Sequence, residues 1–232
     1  MRKVLLKPTL FLRLIILVFF TLLLSYSVYS QTNNSTCDCA RSQYTTSTKA
    51  DTLYHLSNGK TIALCGYFEP KSKKTEFSEF TLTVCGQSRI IDFWGAVNTC
   101  RIQVKNDTLL VQVLKDLLYG MNFKFQPTIW TTEKIYFSGQ RTIRKVVLNR
   151  QIQKYSQAEI STVLKAFETA KPGLDDNKLT LANELFIASI SGSLKAREYF
   201  QEFKTKFGVL DGVYQEEYAD LTGMLRLWDK KE

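Results

Sequence analysis

The chain has 232 residues, 31 Lys and Arg against 22 Asp and Glu, a formal charge of +9, and 44% apolar and 12% aromatic content. That is enough apolar side chain for a packed core of one or two domains, and too much for a disordered polypeptide. Four of the bases (Arg2, Lys3, Lys7, Arg13) precede residue 31 and no acid does, so the other 202 residues carry 27 bases, 22 acids and +5, an ordinary soluble surface that implies no nucleic acid.

Residues 10–24 are apolar except for Arg13 and Thr21 and follow the basic head, the pattern of an export signal. Val28, Tyr29 and Ser30 then suit a signal peptidase, which places the cut between Ser30 and Gln31. A glutamine directly after the cut resembles exported proteins of Gram-negative Bacteroidota. An uncleaved anchor is the competing reading, since residues 10–29 are about long enough to cross a bilayer core of roughly 30 Å. Arg13 and the polar run after Leu24 favour cleavage over anchoring. Lipidation is disfavoured because Cys37 lies a dozen residues beyond the apolar run.

Residues 31–51 form a polar lead-in containing Cys37 and Cys39. The other cysteines, Cys65, Cys85 and Cys100, also lie in the first half of the mature chain. In an oxidising compartment these favour disulfides over metal ligation, and an odd number leaves one thiol over. Alternation turns Cys65 and Cys85 away from the main apolar face, so a Cys65–Cys85 bridge is the first expectation, worth about 3 kcal/mol on the chain-entropy account. Cys100 shares the face of Ile102 and Val104, as a buried thiol or a partner for Cys37 or Cys39.

Between residues 52 and 152 the hydrophobic period is two. Segments 60–68, 77–85, 90–97, 100–105, 108–114, 122–126, 129–137 and 142–148 predict strands. Asn58-Gly59 and Lys105-Asn106-Asp107-Thr108 predict hairpin turns. From Ser156 the period becomes 3.6. Ser156 and Glu159 form a capping box ahead of Ile160, Val163, Leu164 and Phe167, and Pro172-Gly173 closes that helix. A second helix starts at Asp176 or Asn177 and runs to Ile190, burying Ala182, Leu185, Phe186 and Ser189. Ser191-Gly192-Ser193 breaks it. A third carries Ala196, Tyr199, Phe200, Phe203 and Phe207; a fourth, capped by Asp211, carries Tyr214, Tyr218, Leu221, Leu225 and Trp228. Residues 188–196 with Phe200 resemble the αα-hairpin junction of tetratricopeptide or Sel1-like repeats. The match occurs once, so it implies helix-hairpin packing and not a repeat array.

Chemistry-bearing motifs are sparse. Gly59-Lys60-Thr61 resembles the end of a phosphate-binding loop, but Tyr54 stands where glycine is needed and a strand pattern follows. His55 is the single histidine, which excludes two-imidazole zinc sites, and Gly86-Gln87-Ser88-Arg89-Ile90 lacks the last glycine of a nucleophile elbow. Glu69, Glu76, Glu79, Asp92 and Glu133 are candidates for paired-carboxylate hydrolysis, with solvated surface acids as the plainer reading. Asp175-Asp176-Asn177 lacks the rest of a calcium loop and suits helix capping. Cys37-Asp38-Cys39 resembles the head of tissue inhibitors of metalloproteinases, which requires Cys37 to be the first mature residue. Arg141, Arg144, Lys145, Arg150 and Lys154 form a basic stretch suited to anionic lipid or polysaccharide, or to an exposed strand face. Phe93-Trp94, Trp130 and Tyr136-Phe137 suit either a sugar platform or a core.

The sequence thus predicts an α+β protein: signal peptide 1–30, lead-in 31–51, an antiparallel β domain at 52–152 (sandwich or small barrel), and a bundle of about four helices at 153–232. No catalytic, cofactor-binding or metal residue is assigned, and no cofactor is expected. The expected function is an exported, disulfide-containing binding or envelope-interaction protein in the periplasm, on the cell surface or secreted. Its expected partner is an envelope protein or a glycan, with membrane contact only through the N-terminal segment. The alternatives are an envelope or extracellular hydrolase using acidic residues, and a signal-anchored structural or assembly protein.

Overall fold

The computed structural model describes residues 37–39, 49–68, 76–87, 90–119, 124–173 and 176–230. The signal segment, its Ser30/Gln31 cut and Glu69 lie outside them, as do Asp175 and the side chain of Asp176. Among the described residues no helix is long and apolar enough to cross a membrane. Residues 37–232 make one compact unit.

Eight antiparallel strands come first: β1 (Thr52–His55), β2 (Thr61–Phe68), β3 (Glu76–Val84), β4 (Ile90–Trp94), β5 (Cys100–Lys105), β6 (Thr108–Tyr119), β7 (Lys124–Ser138) and β8 (Arg141–Leu148). Their order is β1-β2-β3-β5-β6-β7-β8, with β4 paired to β3 alone. One edge of β3 is shared end to end, with Glu76 and Phe77 facing β5 and Phe80 to Thr83 facing β4. The sheet folds over so that Ile62, Leu64, Phe80 and Leu82 from one half pack with Ile102, Leu109, Val111 and Ile135 from the other.

Local chemistry accounts for the turns. Gly59 takes a left-handed φ of 80° in a loop where the Leu56 N–H bonds the Lys60 carbonyl, while Asn106 and Asp107 both have positive φ, the two-residue hairpin geometry. The two turns meet where the backbone and hydroxyl of Ser57 donate to the Asp107 carboxylate, which holds Asp107 below the usual carboxylate range. Gly66 is demanded by close approach, because a Cβ there would lie 2.3 Å from Phe80 Cβ and 2.6 Å from the Glu79 carbonyl oxygen.

β7 is longer than the sequence suggests, joining predicted segments 122–126 and 129–137 through Pro127. Proline is tolerated there because β8 reaches only Thr131, so that part of β7 has β6 as its sole neighbour and loses no ladder bond on its free edge. Trp130 is the extra residue of a bulge against Val113 and Leu114, which turns its ring toward the helices.

The expected Cys65–Cys85 bridge is corrected. Cys65 lies opposite Thr81, whereas the Cys85 N–H bonds the carbonyl of Thr61. The two cysteines share a face but stand four residues apart along it, about 13 Å at strand rise, beyond disulfide reach. Each takes one cysteine of the Cys37-Asp38-Cys39 segment, in bridges Cys37–Cys85 and Cys39–Cys65. Their separations of 48 and 26 residues correspond to about 3–4 kcal/mol each on the chain-entropy account. The segment covers the second face of β2, where Ala63 and Cys65 are fully buried. Two bridges of this kind fit an oxidising, extracellular-type environment.

Four helices follow: α1 (Gln157–Thr169), α2 (Asp176–Ile190), α3 (Leu194–Phe207) and α4 (Gly212–Asp229). The Ser156/Glu159 capping box forms as expected. α2 ends in a Schellman turn: Ser193 N–H bonds the Ala188 carbonyl, Gly192 N–H bonds that of Ser189, and Gly192 has φ 103°. Ser193 then caps α3 through Ala196 N–H. Asp211 sits at the N-cap of α4 but makes no side-chain capping bond, a departure from the expected cap. α2 is the central helix, with Leu181, Ala182, Leu185, Phe186, Ile187, Ala188 and Ile190 all buried. Trp130 of the sheet stacks with Trp228 and meets Phe186, both at 5.8 Å, so sheet and helices share one apolar cluster.

Candidate functional site

Folding the sheet over brings β4, the branch paired to β3 alone, opposite β8 at the end of the sheet without a ladder between them. Among the described residues no backbone bond closes this seam; side chains do. Arg144 lies opposite Ile135 in the β7–β8 ladder and so points inward. Its Nε donates to Glu133, its Nη2 donates across the seam to Asp92, and its Nη1 reaches the Ile91 carbonyl at 3.4 Å. Ile91 is the bulged residue of β4, which leaves that carbonyl free of β3. The guanidinium also lies 5.8 Å from the centre of the Trp94 ring, itself stacked on Phe80 at 4.9 Å.

The partners differ in surroundings. The Glu133 side chain is only 10% exposed, that of Asp92 41%. The hydrogen bond that Arg144 donates to Glu133 does most to raise the Arg144 pKa, burial opposes it, and Asp92 adds to it. Burying a carboxylate is costly unless it is paired, so Arg144 neutralises Glu133 inside the mouth while Asp92 ties the opposite wall. A cleft of about 470 Å³ opens beside this group, lined by Val84, Gln87, Ile90, Ile91 and residues 140–144. Lys60 flanks the β7–β8 turn, donating to the Gly139 carbonyl at 2.9 Å and to Gln140 at 3.2 Å with its ammonium over Phe137.

Of the candidate carboxylates, the structure thus brings Asp92 and Glu133 together on one arginine. Both act there as hydrogen-bond acceptors, whereas a glycosidic general acid must offer a proton to the leaving group. Glu76 instead pairs with Arg101 at 2.7 Å, and Glu79 is exposed at a strand bulge. Among the described residues no group of three or more His, Cys, Asp or Glu is placed to hold a metal.

The remaining sequence candidates fall into structural roles. His55 is exposed, its Nδ1 3.0 Å from the Thr61 hydroxyl of the neighbouring strand. Gly59-Lys60-Thr61 is a hairpin turn entering β2. Cys100 is the free thiol among the described cysteines, wholly buried. Burial, and then the nearby Glu133 charge, push its pKa up to about 12 against the opposing pull of Lys115, the reverse of nucleophile activation. Trp130 is core, Trp94 and Phe137 pack against the β core, and Tyr136 is 37% exposed.

The basic stretch does not form one face. Arg144 is drawn inward; Arg150 caps the last carbonyls of α4 through Trp228 at 2.8 Å and Lys230 at 2.6 Å; Lys145 and Lys154 are exposed. Arg141 is exposed at the cleft with no ion pair among the described residues. Sequence reasoning placed Arg144 and Arg141 in a surface run and missed the seam, because sequence carries no record of which two strand edges meet. The one local signal was an arginine at an inward position of β8. The chain matches no protein-family model, no curated protein and no solved structure.

Proposed function

We propose that this is an exported, non-enzymatic binding protein of an oxidising compartment, in the periplasm, on the cell surface or secreted, and that it takes its partner at the β4–β8 seam. The observation that carries this reading is an open cleft between two strand edges that share no ladder, bridged by Arg144. Unpaired edges are ready templates for another chain, and natural folds usually cover or block them. The double disulfide clamp supports the compartment: it secures the sheet where thiols oxidise. The partner class is an envelope protein.

Site-specific cross-linking in the producing cells tests the reading. A Thr142→p-benzoylphenylalanine variant is expected to give discrete protein adducts on irradiation, and the same replacement at Glu198, exposed on α3, none. Absence of adducts from position 142, or the same adducts from both positions, would overturn it. Intact mass with and without reduction tests the compartment, with Gln31 as the expected first residue and two bridges as the expected count.

A further inference from the structure

Resting on that reading of the seam, we propose that its ligand is an extended acidic protein segment that adds as a strand to the free edge of β8. The first ground is hydrogen-bond parity. Ser138 and Arg141 close the β7–β8 hairpin, and in the same register Asn149 N–H bonds the Trp130 carbonyl. Bonding alternates along an antiparallel pair, so the odd-numbered residues of β8 engage β7. Thr142, Arg144 and Val146 therefore turn their N–H and C=O toward the seam. Across it, the freed carbonyl of Ile91 faces the same space.

The second ground is space. β4 and β8 share no ladder, and an added strand would take up a gap of two strand spacings of about 4.8 Å each. Arg144 spans this gap from the inner side, and the cleft of about 470 Å³ lies between the two edges. The third ground is charge. Arg141 and Arg144 line the cleft and Lys60 holds the adjoining β7–β8 turn; Asp92 and Glu133 are both taken up by Arg144, and Arg141 has no ionic partner among the described residues. A strand bearing carboxylates on one face would meet Arg141, and alternate apolar residues would cover the ring of Trp94.

The test is backbone NMR of the labelled, disulfide-bonded chain titrated with acetyl-Glu-Val-Glu-Val-Glu-Val-amide. The amides of Thr142, Arg144 and Val146 are expected to shift together. Affinity is expected to fall at least tenfold with the same peptide N-methylated at alternate residues, and at least tenfold in Arg141→Glu. Thr142→Pro deletes an outward N–H without touching the β7 ladder and is expected to weaken binding similarly; circular dichroism and the β7–β8 cross-peaks report whether it folds, and Arg141→Glu stands on an exposed site if it does not.

A Lys-Val peptide binding as well as the Glu-Val peptide would overturn the acidic partner. Equal affinity for the N-methylated peptide, or binding of trigalacturonic acid without shifts in those amides, would overturn strand addition. No shift with the Glu-Val peptide, while cross-links from position 142 persist in cells, would sink this inference and leave the binding reading standing. Loss of the cross-links sinks that reading itself.

Discussion

The helical half and the β half solve the same problem in opposite ways. In the helices, most backbone ends are closed by short-range devices, the Ser156/Glu159 box, the Schellman turn at Gly192 and the Ser193 cap, while the last turns of α1 and α4 take distant partners in Lys206 and Arg150. Aromatic contacts then run from Trp130 through Phe186, Phe200 and Tyr218 to Phe203 and Phe207. In the β half, closure depends on distant partners: two disulfides to residues 37–39, the Ser57–Asp107 contact between turns, and one arginine across an open seam. Helix backbones close largely on themselves, whereas the outer edge of β8 has no ladder partner among the described residues. For that reason we place function at the seam and not in the bundle.

Breaking the β half is expected to cost most. Gly66→Ala forces a Cβ into the backbone of β3 and is expected to lose more than about 3 kcal/mol, read as a lower urea midpoint or as failure to fold. Arg144→Leu leaves Glu133 unpaired in the mouth; its exposure moderates the penalty of a fully buried broken pair, and about 2 kcal/mol is expected. Arg144→Leu combined with Glu133→Gln is expected to recover half or more of that, since the stranded charge is gone.

The helical half should answer with smaller effects. Burial raises Glu184 on α2 from an ordinary 4.5 to about 7. Between those values the unfolded chain ionises while the folded one stays protonated, so stability is full below pH 4.5 and declines as pH rises to 7. Burial first, and then the charges of Glu184 and Glu159, raise the Tyr155 hydroxyl as well. Allowing for partial solvent screening, about 1–2 kcal/mol of this slope is expected, and Glu184→Gln should flatten it in unfolding curves taken across pH 4–8. Ser156→Ala removes the capping box and is expected to cost about 1 kcal/mol. If it cost as much as Arg144→Leu, the contrast between local and long-range closure would fail.

What was legible in the sequence follows the same division. The cap at Ser156, the break at residues 191–193, the buried stripe of α3 and the turns at Asn58-Gly59 and Asn106-Asp107 are read correctly because each depends on a few adjacent residues. The cap at Asp211 is the local exception, occupying its position without making its bond. The two strands predicted around Pro127 are one, because proline breaks a strand only where its missing N–H is needed.

Sequence by itself determined the α+β class, most of the strands, the four helices and the presence of cysteines suited to an oxidising compartment, since periodicity and capping act over one or two turns of chain. Tertiary structure alone decided which cysteines meet, why Trp130 leaves the sheet for the bundle, and that β4 and β8 stand opposite each other without a ladder. Those are matters of register and closure between segments such as the bridged cysteines and the seam, 26 to 52 residues apart, where side-chain chemistry permits several pairings and only the folded sheet selects one.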